Sequence, residues 1–188
     1  MNIGSYTFEE YLQKVRTFHG NTAPGVILGG IMVDEALRHL PPNILFDAIS
    51  ETDKCLPDSI QLLTPCTIGN GWMRIINIGR FALCLYNKQS GEGFRVYIDP
   101  ERVKTFPVIN NWFFSLKPKK EQNKENLLAE IGLSGSKILG LSQVKVDIEA
   151  LSSKYEGEYA ICRECKESYP SNGLGLCLAC QGKASYYI

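Results

Sequence analysis

The stretch C-R-E-C-K-E-S-Y-P-S-N-G-L-G-L-C-L-A-C, residues 162–180, decides the fold of the C-terminal part of the chain. It holds two C-x-x-C pairs, Cys162 with Cys165 and Cys177 with Cys180, separated by eleven residues. Each pair forms a tight turn that aims two sulfurs at one point, and Zn²⁺ binds four thiolates at the corners of a tetrahedron. The spacing predicts one zinc ion; two disulfides or an iron–sulfur cluster are the alternatives.

The connection between the two pairs is typical of a tight turn, since it contains Pro170, Asn172, Gly173 and Gly175. All four predicted ligands are protein thiolates, so no coordination position stays open for a substrate. The predicted role of this zinc is therefore structural, and its binding would fold the small module.

The length of 188 residues is enough for a core domain over 1–152 and an appended module over 153–188, with a linker near 152–158. No run approaches the ~20 apolar residues of a membrane span, and no secretory signal is visible. The seven cysteines, odd in number and partly in C-x-x-C pairs, favour a reducing compartment. We therefore expect a cytoplasmic protein.

The charge pattern argues against a nucleic-acid partner. The chain has 20 Lys and Arg against 20 Asp and Glu, whereas nucleic-acid binders usually carry a basic excess. The segment 155–188 is slightly acidic, and a zinc ion with four thiolates adds two further negative charges. This module should repel phosphates.

Hydrophobic periodicity and turn residues predict a core of helices and a mainly antiparallel sheet, because the connections between strands are short. A hairpin turn is expected at 89–93, and 117–124 reads as a charged loop. The predicted helices cover 8–18, 24–37, 56–64 and 127–131, and the predicted strands cover 44–49, 72–76, 81–86, 94–98 and part of 138–146.

The second predicted helix carries three glycines, Gly25, Gly29 and Gly30, on an otherwise apolar segment. Glycine inside a helix costs about 1 kcal/mol relative to alanine. Tight packing, a ligand or a dimer axis would offset that cost.

Three residues of the core are candidates for a second site. His19 ends a helix, where the helix dipole stabilises an imidazolium or a bound metal; the alternative is a packed histidine. Cys55 precedes a helix, whose N–H groups would lower the thiol pKa; the alternative is a small buried hydrophobe. Cys66 follows the same helix, ~12 Å away, so the loops must fold back if the two cysteines share one metal. For Cys84, in an apolar strand, simple burial is the expectation.

Three segments resemble the FmdE-like family, named after a component of formylmethanofuran dehydrogenase. They are F-H-G-N-T-A-P-G-V-I-L-G-G (18–30), E-T-D-K-C-L-P-D-S-I-Q-L-L-T-P-C-T-I-G-N-G (51–71) and Y-N-K-Q-S-G-E-G-F-R-V (86–96). The resemblance implies an α+β core, a C-terminal treble-clef or zinc-ribbon module and a homodimer. It also implies association with the molybdenum or tungsten enzyme that fixes CO₂ onto methanofuran.

One family motif is altered in this chain. The motif usually reads H-G-H-x-C-P-G, but Asn21 and Ala23 stand at the second His and at the Cys. His19, Cys55 and Cys66 remain at matching positions, so the resemblance is compatible with a core metal site of these three ligands and water. The alternative is that the two substitutions have disabled the chemistry and left a scaffold.

Within that site His19 would act as a ligand or proton carrier and Cys55 as a ligand or nucleophile. Asp53 and Asp58 lie near enough in the sequence to hold the ligands in place.

The sequence thus supports a metal- or thiol-dependent component of one-carbon metabolism, such as an oxidoreductase subunit. The alternative is a non-enzymatic assembly or adaptor subunit whose zinc module makes protein contacts. A zinc-ribbon nucleic-acid binder is disfavoured by charge. The terminal Tyr186-Tyr187-Ile188 either docks onto protein or frays.

Overall fold

The computed structural model describes residues 1–151, 158–171 and 173–183. These fold as two compact units, Met1–Ile148 and Glu149–Ile188. Asn172, the tail 186–188 and most of the predicted linker lie outside the described residues. The domain boundary expected at residues 152 and 153 therefore stays a prediction.

The described residues form strands and helices that are interspersed along the chain. The strands are β1 Asn2–Ile3, β2 Tyr6–Thr7, β3 Phe46–Ser50, β4 Met73–Ile75, β5 Ala82–Asn87, β6 Glu92–Ile98, β7 Leu139–Lys145, β8 Tyr159–Ile161 and β9 Ser168–Pro170. The α-helices are α1 Phe8–His19, α2 Pro24–His39, α3 Leu56–Leu63, α4 Pro100–Val103, α5 Pro107–Phe113, α6 Lys124–Ser134 and α7 Ile148–Leu151. Short 3-10 turns cover Lys119–Glu121 and Gly135–Ile138, and a π-helical turn covers Ala179–Lys183.

Helix α1 starts and stops on local signals. The Thr7 hydroxyl accepts from the Glu10 N–H at 3.3 Å, and the Glu10 carboxylate accepts from the Thr7 N–H at 2.8 Å, which forms a complete capping box. Gly20 closes the helix at φ 84°, a left-handed conformation that glycine adopts without strain. Tyr11 and Val15 face inward and are fully buried.

Helix α2 is buried almost all round, and its glycines allow close packing. A Cβ at Gly29 would lie 2.2 Å from Ser59 Oγ on α3, and one at Gly30 would lie 2.4 Å from the Tyr11 ring. The glycines therefore serve tight packing, one of the three explanations that the sequence left open.

The core unit contains a five-stranded sheet in the order β4-β3-β5-β6-β7. Strands β3, β5, β6 and β7 pair antiparallel, which confirms the mainly antiparallel sheet. Strand β4 runs parallel to β3, because helix α3 crosses over between them and returns the chain in the same direction. One face of the sheet, with Ala48, Leu83 and Val96, joins α2 in the hydrophobic core.

The sequence-based prediction did not contain the hairpin β1–β2, the strand pair β8–β9 or the short helices α4, α5 and α7. Helices α4 and α5 each begin at a proline after a non-helical residue. Their lengths of 4 and 7 residues are too short to show a helical period. The segment 117–124, predicted as a loop, contains the 3-10 turn Lys119–Glu121.

The C-terminal unit is built on little apolar surface. Strands β8 and β9 pair antiparallel, and the buried residues that cluster there are Cys162, Tyr169 and Cys177. A core this small does not hold a fold on its own, so a further constraint is needed.

Candidate functional site

The four C-terminal cysteines converge on one point. The Sγ atoms of Cys162, Cys165, Cys177 and Cys180 all lie within 4.8 Å of one another, and Cys165 and Cys177 are 3.8 Å apart. A Zn–S length near 2.3 Å implies Sγ–Sγ separations of about 3.8 Å in a tetrahedron. All seven cysteines of the chain are free thiols, so the disulfide alternative is not formed.

Backbone N–H groups point at these sulfurs. Cys177 N–H donates to Cys162 Sγ at 3.4 Å, and Cys180 N–H donates to Cys177 Sγ at 3.5 Å. The bond from Cys177 lowers the pKa of Cys162 to about 6, since it stabilises the thiolate. Hydrogen bonds to the thiols of Cys177 and Cys162 raise the pKa of Cys180 to about 12. The donor set, its spacing and its N–H···S bonds fit a tetrahedral metal bound by thiolates.

His19 and Asp58 join α1 to α3. His19 Nδ1 lies 2.5 Å from Asp58 Oδ2, with both side chains about 30% exposed (26% and 31%). His19 ends α1, and Asp58 lies in the first turn of α3. The two residues are 39 positions apart in the sequence but in contact in the fold. A carboxylate in this position fixes the orientation of the imidazole ring.

Cys55 lies at the start of α3 in a strained turn. Its φ of 60° and ψ of −50° accompany a bond from Leu56 N–H to the Lys54 carbonyl at 2.6 Å, which is a γ-turn. The Sγ atom lies 2.7 Å from where a Cβ at Gly25 would stand, so this turn packs Cys55 against α2. Of the two alternatives that the sequence left open for Cys55, the structure favours the buried side chain over the helix-activated thiol: burial, with the Asp58 carboxylate, raises the pKa of Cys55.

The other core cysteines lie on the sheet side of the unit. Cys66 is fully buried, its Sγ donates to the Phe46 carbonyl at 3.5 Å, and burial raises its pKa to about 11. Cys84 is buried on β5, as expected, with its pKa raised to about 12 by burial. Asp53 is about half exposed and pairs with Lys54 at 3.4 Å.

The expected core metal site of His19, Cys55 and Cys66 is thus not assembled. Within the described parts of the chain, the four C-terminal cysteines are the one group of three or more His, Cys, Asp or Glu ligand atoms close enough to share an ion. The two cysteines flank helix α3, and Cys55 packs against Gly25 of α2 whereas the Cys66 thiol bonds to the Phe46 carbonyl of β3.

An ion cluster around the buried Glu51 carboxylate was not predicted. Glu51, 7% exposed, accepts from Arg95 Nε at 2.6 Å and Nη2 at 2.7 Å, and it pairs with Arg80 at 2.8 Å. The hydrogen bonds from Arg95, with the charges of both arginines, lower the pKa of Glu51. Its partners lie 44 and 29 residues away along the chain, so no local pattern could reveal it.

Asn21 and Ala23, which replace the His and Cys of the motif noted in the sequence, line a cavity of about 310 Å³. Trp112, Lys119 and Lys124 also line it.

Comparison with known proteins gives these features a family context. The family described as "FmdE, Molybdenum formylmethanofuran dehydrogenase operon" matches residues 18–146, and "FmdE treble clef zinc finger" matches residues 153–187. A tungsten formylmethanofuran dehydrogenase FmdE-like protein of Syntrophus aciditrophicus, known from a crystal structure, is 48% identical. It has a TM-score of 0.91, with 99% of this chain and 98% of that chain covered. The resemblance drawn from the sequence motifs is thereby confirmed.

A further relative is a probable S-adenosyl-L-methionine-binding protein of Archaeoglobus fulgidus. It is 27% identical over an alignment of 198 residues, which covers 94% of this chain. The chain spans about half (53%) of the length of that curated relative. Among the residues described, no helix has the length and apolar character needed to span a membrane.

Proposed function

The chain belongs to the FmdE family, and on that premise we propose that it is a zinc-stabilised accessory component of a molybdenum- or tungsten-dependent oxidoreductase of one-carbon metabolism. In this role Cys162, Cys165, Cys177 and Cys180 hold one structural Zn²⁺. The carrying observation is the convergence of four Sγ atoms within 4.8 Å, with a 3.8 Å separation that matches a tetrahedral Zn–S₄ edge.

The donor set supports an accessory role over a catalytic one. Four protein thiolates fill a tetrahedral ion, whereas catalytic zinc keeps one position for water or substrate. When bound, the ion supplies folding free energy to a unit with few buried apolar residues, on the order of 10 kcal/mol. The partner enzyme is proposed from the descriptions of the family and of its Syntrophus relative.

Elemental analysis of the protein purified without added metal tests the zinc assignment. We expect one zinc per chain, lost in Cys177→Ser and retained in Cys84→Ala, which removes a thiol elsewhere. Iron in place of zinc would overturn the assignment. Two metals per chain, falling to one in a His19→Ala/Cys55→Ala double variant, would contradict the accessory role.

Co-purification tests the partnership. We expect the tagged chain, expressed in its own cells, to retain an oxidoreductase whose molybdenum or tungsten is measurable in the eluate. Cys55→Ser should keep that partner, because Cys55 is half-buried in its turn against α2. An eluate without either metal would argue against the proposed complex.

The proposed assembly is a homodimer in a reducing compartment, the cytoplasm. The odd count of seven cysteines, four of them in C-x-x-C pairs, supports the compartment. Exposed apolar side chains along and beside the edge strand β4, among them Ile75, Ile76 and Ile78, support an interface there. Light scattering at micromolar concentration should give twice the chain mass of 21.0 kDa.

A second candidate function, thiol chemistry at Cys55, is favoured by the strained γ-turn at that residue. Non-glycine residues at positive φ cost about 1–3 kcal/mol and cluster at functional sites. Its Sγ is neutral at ordinary pH because its pKa is raised, so a base must remove the proton. Loss of the complex's activity in Cys55→Ser, with assembly unchanged, would select this function.

A further inference from the structure

The cavity of about 310 Å³ in the core unit lies where three helices meet. Ala23 and Pro24, at the start of α2, form one wall, and Trp112 of α5 forms another. Asn123 and Lys124, at the start of α6, complete it. The volume falls at the lower end of the range of small-molecule sites.

The charge of the lining is of one sign. Lys119 and Lys124 are its ionisable side chains, and no carboxylate belongs to the described residues that line it. Helix α2 has no side-chain cap at Ala23 and no acidic residue in its first turn. Since a helix N-terminus carries about half a positive charge, the start of α2 adds to the two ammonium groups, whereas Glu125 in the first turn of α6 offsets the dipole of that helix.

The walls of the cavity are fixed by hydrogen bonds. Glu130 Oε2 accepts from Ile109 N–H at 2.7 Å and so ties the first turn of α5 to α6. Gln122 Nε2 donates to the Lys117 carbonyl at 2.7 Å and closes the segment that carries Lys119. These contacts hold the lining in place before a ligand arrives, which lowers the entropy cost of binding.

We propose that this cavity binds a small organic anion in which a carboxylate adjoins a flat apolar ring. The carboxylate lies toward Lys119 and Lys124, where ammonium donors form charge-assisted hydrogen bonds. The ring lies against Trp112, with Pro24 and Leu127 as further apolar wall. The N-terminus of α2 contributes to the field but does not define the site, which rests on the half-open cavity, the lysine pair and the tryptophan together.

The charge also excludes one class of ligand from this cavity. S-adenosylmethionine carries a sulfonium and an ammonium against one carboxylate, so its net charge is positive. Two lysines and the N-terminus of α2 repel such a molecule. The inference does not depend on the zinc module or on a partner enzyme.

Calorimetric titration of the full zinc-loaded chain tests the proposal with 2-naphthoate. The matched probes are 2-naphthamide, which lacks the charge, acetate, which lacks the ring, and S-adenosylmethionine. A Trp72→Phe background leaves Trp112 as the single tryptophan, so its indole N–H resonance reports occupancy of the cavity.

We expect naphthoate to bind, to shift the Trp112 resonance and to bind better than the other three probes. Lys119→Met and Lys124→Met should each weaken it roughly tenfold, as expected for loss of a charged hydrogen bond. Lys120→Met is the matched control, since Lys120 shares the 3-10 turn with Lys119 but does not line the cavity; its affinity should be unchanged.

Absence of naphthoate binding up to its solubility limit would overturn the proposal. Equal affinity for naphthoate and naphthamide would show that charge plays no part, and equal affinity for acetate would show that the ring plays none. Tighter binding of S-adenosylmethionine, strengthened in the lysine variants, would reverse the assigned charge of the ligand.

Discussion

Replacing Gly30 by alanine tests the packing that organises the core unit. Gly30 lies in the middle of α2, and a Cβ there would stand 2.4 Å from both the ring and the hydroxyl of Tyr11. Tyr11 is fully buried and donates to the Val26 carbonyl at 3.3 Å, so its ring cannot swing into solvent. The methyl group must therefore separate α2 from α1.

The expected change in stability follows from two destabilising effects and one stabilising effect. Overpacking a close contact costs about 1–3 kcal/mol. Loss of the Tyr11 hydrogen bond costs about 1 kcal/mol more. Alanine returns about 1 kcal/mol through its better helix propensity. The net destabilisation of Gly30→Ala is therefore about 1–3 kcal/mol, or roughly 2–4 °C in Tm for each kcal/mol.

Gly132→Ala is the matched control, because Gly132 also lies inside a helix, α6. There a Cβ would meet Phe8 atoms at 3.4 Å and beyond, an ordinary contact. We expect Gly132→Ala to leave the unfolding free energy unchanged or to raise it by up to about 1 kcal/mol. Urea denaturation followed by circular dichroism gives both values. A Gly30→Ala chain as stable as Gly132→Ala would refute the argument that Tyr11 sets the spacing of α1 and α2.

Three further outcomes follow from the site and its charges. Cys177→Ser should abolish the unfolding transition of the C-terminal unit in calorimetry while that of Met1–Ile148 persists; a joint loss of both transitions would mean that the units fold as one. Because the pKa of Glu51 is lowered below its ordinary 4.5 in the folded state, its stabilising effect is present above that value and is lost as the pH falls through the lowered pKa. Glu51→Gln should therefore be destabilised by about 1–3 kcal/mol at pH 7, and the difference in unfolding free energy from the wild-type chain should narrow below pH ~4. A difference that does not change with pH would contradict the ion cluster. Cys55 should react with iodoacetamide more slowly at pH 7 than a free thiol does, and faster as the pH rises, since burial raises its pKa. Mass spectrometry of the native protein measures the rate. A rate at pH 7 above that of free cysteine would disprove the expectation.

Local signals made parts of this fold predictable. The capping box at Thr7 and the proline that opens α2 give helix starts because capping depends on residues within one turn. The four C-terminal cysteines were predictable for the same reason, since each C-x-x-C pair is one turn.

Features built from distant parts of the chain escaped prediction. The direction of β4 is set by the crossover through α3, and the start of α5 is capped by Glu130, 21 residues away. The elevated pKa of Cys55 depends on burial against α2, which no sequence window contains. Among the described residues Cys66 and His19 do not form a ligand group, and the Cys66 thiol donates instead to the Phe46 carbonyl on β3.

The described core residues contain no group of metal ligands, and the charges around the cavity at Asn21 and Ala23 also disfavour a metal cation. Asn21 and Ala23 line a cavity together with Lys119 and Lys124. Asparagine is a poor ligand for a borderline metal and alanine is none, while two ammonium groups and the N-terminus of α2 raise the energy of a cation placed there. The same charges lower the energy of an anion. The side chains at positions 21 and 23 and the electrostatic field of the cavity therefore both disfavour a metal cation. Thiolate chemistry for a cation is concentrated instead in the C-terminal unit, where four sulfurs lie within 4.8 Å. On the proposed assignments the core unit favours an anion and the C-terminal unit favours a cation. Metal content and organic-anion binding therefore report on different units and can be measured separately.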